Sequence, residues 1–158
     1  MHMILKQFLN KRSLYILLTL LWVAVIFFFS LQPADTSNQI STGLGRKLVE
    51  LFMPNLSEEG WELLHHLIRK AGHFTEFFIL GVLTVLTTFQ IRISRKKMLG
   101  LAFCVVIASL DETLQLFVAG RSGQVSDIVI DSVGALVGVM LFVSLKKFCD
   151  NRNKRMDF

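Results

Sequence analysis

Three apolar stretches of this chain carry ionisable side chains where hydrocarbon tolerates few of them. They are Arg69-Lys70-Ala71-Gly72-His73-Phe74-Thr75-Glu76-Phe77, Asp111-Glu112-Thr113-Leu114-Gln115, and Arg121-Ser122-Gly123-Gln124-Val125-Ser126-Asp127 running on to Asp131. A charge at the centre of a bilayer costs about 2.5–3.5 kcal/mol on insertion scales, so such residues mark binding sites or proton paths by default. His73 and Glu76 are three residues apart, hence neighbours on a helix, and suit proton transfer or headgroup binding. The bland reading of the same spacing is a polar clamp between helices. Asp111 and Gln115 share a face, whereas Glu112 points about 100° away from Asp111 and is expected outside any shared pocket. Their bland reading is ion pairing with Arg69, Lys70 or Arg121, because a buried carboxylate needs a partner.

Asp127 and Asp131 are four residues apart on one face. Asp127 alternatively serves a helix start, and Asp131 alternatively pairs with a base. Arg121 lies between Gly120 and Gly123, which let backbone approach closely, and its fork suits phosphate or carboxylate. The alternative for Arg121 is an interfacial anchor. The candidate proton-moving or catalytic residues are therefore His73, Glu76, Asp111 and Asp127, and the candidate ligand-binding residues are Arg69, Lys70, Gln115, Arg121 and Asp131. His73, Glu76, Asp111, Asp127 and Asp131 could between them hold a hard divalent cation such as Mg²⁺. No HExxH or paired-cysteine motif supports a metal, so no metal site is assigned and no cofactor is expected. No G-x-S-x-G elbow is present either.

Elements must bring these residues together. The 158-residue chain is 53% hydrophobic with a mean hydropathy of +0.55, too apolar for a soluble domain of this size. Hydropathy predicts spans at about 14–31, 71–91, 98–118 and 125–145, each near the 20 residues needed to cross a core of about 30 Å. The expected fold is all-α: one domain over residues 1–158, an integral membrane four-helix bundle with one or two interfacial amphipathic helices in the outer loop. The basic residues Lys6, Lys11, Arg12, Arg92, Arg95, Lys96, Lys97, Lys146, Lys147, Arg152, Lys154 and Arg155 flank one side of these spans. The positive-inside rule makes that side, with both termini, cytoplasmic. The net charge of +5 is then a topology signal and not a nucleic-acid footprint, since no stacking motif accompanies it. The first span follows a basic arm but offers no small-x-small cleavage site at Phe29-Ser30-Leu31-Gln32-Pro33, and reads as a retained helix. Cys104 and Cys149 sit apart, without disulfide or metal-site spacing.

The outer loop, residues 32–70, has two amphipathic pieces. Ile40, Leu44, Leu48, Leu51 and Phe52 share a helical face, with Arg46, Lys47 and Glu50 elsewhere, and Met53-Pro54-Asn55 ends that helix. A second short helix is predicted from near Ser57, with Glu58 and Glu59 at its positive end and Trp61, Leu64 and Ile68 on its apolar face. In the spans, Arg69, His73 and Glu76 fall on one stripe running on to Thr87; Gly100, Cys104, Asp111 and Gln115 fall on another; Asp127, Asp131, Gly134 and Gly138 form a third. Asp111 and Asp131 come out at similar depth, roughly 10 Å from the outer helix ends. The stripes predict a pocket in the outer leaflet, with cations at the rim and carboxylates below.

These motifs together resemble the VanZ-like family: Arg69-Lys70-x-x-His73-Phe74-x-Glu76-Phe77, Asp111-Glu112-x-x-Gln115, Arg121-Ser122-Gly123 followed by Asp127, and Gly134-x-x-x-Gly138. Phe28-Phe29-Ser30-Leu31-Gln32-Pro33 resembles that family's end of span one, so the likeness runs from about Phe28 to Gly138. Phe77, Ala119 and Asp131 stand where the family often has Tyr, Pro and Asn. The resemblance implies a small bacterial plasma-membrane protein with a part in resistance to teicoplanin and related lipoglycopeptides. It supplies no chemical mechanism. The functional expectation is recognition of an anionic lipid-linked group, a cell-wall precursor or a lipoglycopeptide, with membrane lipids as partners and no nucleic acid. Two alternatives stand beside it: an enzyme acting on a lipid phosphate or headgroup, and a structural or proton-conducting polar network.

Overall fold

Four long helices carry the fold of this protein, described here from a computed structural model. The described residues are 11–34, 42–43, 45, 47, 49, 51–52, 56–90 and 96–156. The helices are α1 (Lys11–Ser30), α2 (Glu58–Gln90), α3 (Lys96–Gln115) and α4 (Val125–Met156), and no strand occurs among the described residues. All four are long and apolar enough to cross a membrane. The protein is an all-α, multi-pass membrane bundle. The side chains of Ile40, Leu44, Arg46, Leu48 and Glu50, the Met53-Pro54-Asn55 break, and the basic residues Lys6, Arg92 and Arg95 lie outside the described residues.

Two elements are longer than the spans read from hydropathy. The amphipathic piece from Ser57 is not a separate helix: it runs unbroken into the second span as the 33-residue α2. No Pro or Gly pair interrupts residues 58–90, so nothing in the sequence stops the helix at the interface. Ser57 starts it, accepting a hydrogen bond from the Gly60 amide at 3.2 Å, while Glu58 and Glu59 meet the positive end of the dipole. At 1.5 Å per residue α2 is about 50 Å long, well beyond a hydrocarbon core of about 30 Å. The described positions from residue 42 to 52 are also helical, and Gly45 lies close against Trp61 and Ile68 of α2. Helix α4 likewise continues past Leu145 through the basic tail to Met156. Lys146 places its ammonium 5.3 Å above the Phe89 ring, where the end of the apolar stretch meets the polar tail.

Contacts set the topology. Thr19 of α1 meets Thr87 of α2, and Trp22 donates to the Glu76 carbonyl, so α1 and α2 are antiparallel. His73 faces Asp131 and Phe89 faces Phe142, so α2 and α4 run parallel. Lipid gives helices little hydrophobic reason to associate, so close packing must do it, and small residues permit that. A Cβ on Gly134 or Gly138 of α4 would run into the carbonyl oxygens of Phe74 and Phe78, and one on Gly81 into that of Ala135. The Gly134-x-x-x-Gly138 stripe is thus where the α2 and α4 backbones meet. The remaining circumference is apolar and outward, including Leu17, Phe28, Val106, Val129 and Met140.

Ile26, Phe77, Leu80, Cys104, Ile107, Ala108 and Ala135 form a buried apolar layer across all four helices. It separates two unlike halves of the bundle. Toward the end that carries the 31–57 loop lie the buried ionisable residues His73, Asp111, Glu112, Asp127 and Asp131. Toward the other end, a cleft of about 250 Å³ between α1, α2 and α3 is lined by Thr19, Thr84, Thr87, Leu99 and Phe103 among others.

Candidate functional site

The loop end gathers one group of side chains from three helices and a turn. His73 and Glu76 come from α2, Asp111, Glu112 and Gln115 from the last turn and a half of α3, and Asp127 and Asp131 from the start of α4. Asp111 is 1% exposed, Glu112 3%, Asp127 3%, and Gln115 and Asp131 0%, so nearly every polar atom there must find its partner inside the protein.

Gln115 is the hinge of the α3 group. Its Nε2 donates to Asp111 Oδ2 and to Glu112 Oε1, each at 3.1 Å. The other Glu112 oxygen, Oε2, accepts the Gln124 backbone amide at 2.7 Å. The expectation that Glu112 faces away from Asp111 is therefore overturned. The two Cα–Cβ directions do diverge on the helix, but Gln115 follows at i+4 from one and i+3 from the other and draws both carboxylates inward. The turn of residues 116–124 then folds back over the end of α3, so Glu112 is covered by chain instead of lipid. A Cβ on Gly123 would lie 2.5 Å from the Glu112 carbonyl oxygen, and Gly120 holds a left-handed φ of 73°. Both glycines that flank Arg121 are thus required by the path of the turn.

His73 Nδ1 lies 3.4 Å from Asp131 Oδ1, without the geometry of a hydrogen bond, and neither Asp131 oxygen has a hydrogen-bond partner among the described residues. Asp111 Oδ1 and Gln115 Oε1 are also buried without a hydrogen bond from any described residue. Single ligand atoms of His73, Asp111, Glu112 and Asp131 all lie within 4.8 Å of one another. Glu76, a candidate proton-moving residue, is only part-buried and is not one of this quartet. Asp127 is drawn away: Lys70 Nζ lies 2.7 Å from Asp127 Oδ1, tying α2 to the first turn of α4. Ser126 adds a 3.3 Å contact to the same oxygen.

Above the acids stand two guanidinium groups. Arg121 donates from Nη2 to the Phe29 carbonyl at 3.0 Å, which pins the turn to the end of α1. Its Nε and the Nη2 of Arg69 are buried and have no hydrogen-bond partner among the described residues. Burial, and then the like charge of Arg69, lower the Arg121 pKa from its ordinary value, yet a guanidinium stays protonated in proteins. Two half-buried cations that repel each other, each with an unused donor, can hold a bridging anion.

Sequence reasoning missed Ser30 as a contributor. Its hydroxyl, 4% exposed at the end of α1, faces the Asp111 carboxylate. It falls short of hydrogen-bond geometry there. The available signal was a hydroxyl closing an otherwise apolar helix end, within the Phe28–Pro33 stretch that carries part of the family likeness. The Gln124 amide and the Phe29 carbonyl were also missed. They are backbone groups, and residue type says nothing about where they point.

The stripes of span two, span three and span four thus meet at one place, with Glu112 added and with Lys70 and Asp127 engaged by each other. The family model described as VanZ/LLP1 matches residues 15–146. No curated protein and no solved structure matches the chain. The matched stretch contains all of α2 and α3, most of α1 and α4, and every polar residue of the loop-end group, and the chain belongs to the VanZ/LLP1 family.

Proposed function

We propose that this protein binds an anionic lipid-linked or cell-wall-associated group at the loop end of its bundle, in the outer leaflet of a bacterial plasma membrane, and thereby contributes to lipoglycopeptide resistance of the teicoplanin type. The observation that carries this reading is the pair of buried guanidinium nitrogens, Arg69 Nη2 and Arg121 Nε, that have no hydrogen-bond partner among the described residues. A buried donor left unmade costs about 1–3 kcal/mol, more when charged, and a phosphate or carboxylate would supply both acceptors. The orientation rests on the basic residues of the two termini and of the 92–97 turn, which favour the cytoplasmic side.

In this arrangement Arg69 and Arg121 hold the anion. Lys70 holds α2 against α4 through Asp127, and Gln115 fixes the carboxylates beneath. Arg121→Ala and Arg69→Ala, expressed at wild-type levels in a susceptible host, are expected to abolish the resistance conferred by the parent. Unchanged teicoplanin susceptibility relative to wild type in both variants would refute the assignment.

A second reading is favoured by the unpartnered acceptors below the cations, Asp111 Oδ1 and Asp131 Oδ1 and Oδ2, next to His73 and Glu76. They could move a proton during chemistry on a lipid phosphate or headgroup. A changed lipid profile in cells carrying the wild type but not Asp111→Asn supports it, and identical profiles reject it.

A further inference from the structure

We propose that His73, Asp111, Glu112 and Asp131 together bind one divalent first-row cation. This goes beyond the anion reading and does not depend on it, because the residues differ and the binding partner has the opposite charge. The set also differs from the acids that share the three sequence stripes. Glu76 and Asp127 drop out, the latter into its pair with Lys70, and Glu112 enters.

Three observations converge on it. The four residues lie on three different helices, yet one imidazole nitrogen and three carboxylate oxygens fall within 4.8 Å of one another, all buried. Ligands 2.0–2.2 Å from a common ion sit at most about 4.4 Å apart when trans and about 3.3–3.6 Å apart in a tetrahedral shell, so the widest pair must close by between a few tenths of an ångström and about 1.5 Å. Second, three buried carboxylates crowd together, and among the described residues none of the three forms an ion pair with a lysine or arginine. Lys70 is held by Asp127, and Arg121 donates to the Phe29 carbonyl. Third, polar atoms that are nine-tenths buried or more lack partners around the same point. Asp131, 0% exposed, has neither oxygen hydrogen-bonded by any described residue. Gln115 and Ser30 are not members of the quartet, but the Gln115 amide is directed at Asp111 and Glu112, and Ser30 faces Asp111. Gln115 Oε1 and Ser30 Oγ are both unpartnered.

The ligand chemistry selects the ion. One imidazole with three carboxylates suits Mn²⁺ or Zn²⁺ better than Mg²⁺, which prefers an all-oxygen shell rich in water. Gln115 then acts on the ligands, orienting Asp111 and Glu112 through one amide nitrogen.

The test uses the full-length protein in detergent micelles, stripped with chelator and titrated with MnCl₂, then with ZnCl₂. One Mn²⁺ per chain is expected, with hyperfine coupling to a single imidazole nitrogen in the electron spin echo spectrum, and Zn²⁺ is expected to displace it. Asp131→Asn and Glu112→Gln are each expected to weaken Mn²⁺ at least tenfold, while Glu76→Gln changes it less than threefold. Failure of both ions to bind at one per chain overturns the proposal, as does binding without nitrogen coupling. Equal affinity in Glu112→Gln and wild type also overturns it. The coupling is read on the wild type, so the proposal can still fail or stand if Asp131→Asn does not fold. Arg121→Ala is expected to retain the ion, which separates this site from the anion site above it.

Discussion

The Lys70 ammonium and the Asp127 carboxylate lie 2.7 Å apart, joining the middle of α2 to the first turn of α4 at the loop end. The Asp127 side chain is 5% exposed and that of Lys70 37%, so the carboxylate depends on this partner more than the ammonium does. Removing Lys70 strands a buried charge, whereas removing Asp127 returns the ammonium to the polar surface. Lys70→Ala is therefore expected to cost about 1–3 kcal/mol, and Asp127→Asn less. Thermal unfolding in detergent reads both. If Lys70→Asp with Asp127→Lys restores folding and resistance together, the pair is structural.

Arg121 has two tasks, one toward the Phe29 carbonyl and one toward the proposed anion. Arg121→Lys keeps the charge and loses the fork. Under the proposed function, the resistance conferred is expected to fall at least tenfold in drug concentration while melting temperature changes little. Equal resistance in Arg121→Lys and wild type would show that charge alone suffices there.

Glu112 holds the turn by accepting the Gln124 amide at 2.7 Å. Glu112→Ala leaves that amide and one Gln115 donor unpaired, at a cost of about 1–3 kcal/mol. Amide hydrogen exchange at Gln124 is expected to quicken by more than tenfold, with α1 unaffected. Unchanged protection would place the amide's partner elsewhere.

Gly138 packs on the Phe78 backbone with no room for a Cβ. Gly138→Leu must push α4 off α2, and overpacking of this kind costs about 1–3 kcal/mol. Gly72, which has open space around its Cβ position, serves as the control. Gly72→Ala is expected to leave the melting temperature within about 2 °C of wild type or to raise it, because Ala favours helix over Gly.

Much of this was legible from residues alone. Helix-period stripes placed His73 with Arg69, Asp111 with Gln115 and Cys104, and Asp131 with Gly134, since spacing on a helix fixes the face within each element. Gly134 and Gly138 announced a close approach, and the structure supplies the Phe74 and Phe78 backbone as its partner. The length of α2 was not legible. Its amphipathic first part and its apolar second part read as two elements, because hydropathy changes at a membrane surface whether or not the helix does.

The sequence by itself determined four spanning helices, the faces they turn to one another, and the concentration of ionisable residues at one end. These follow from local rules, the 3.6-residue period and the cost of charge in hydrocarbon. Only the tertiary structure decided who meets whom at that end. It gave Lys70 to Asp127, drew Glu112 in beside Asp111 through Gln115, and left Asp131, Arg69 and Arg121 with unpartnered polar atoms. The reason is physical: a helical period sets direction to within a face, but long side chains swing through several ångströms. Which partner each one reaches depends on the spacing and offset of neighbouring helices, and here the Gly134–Gly138 contact and the 116–124 turn set both.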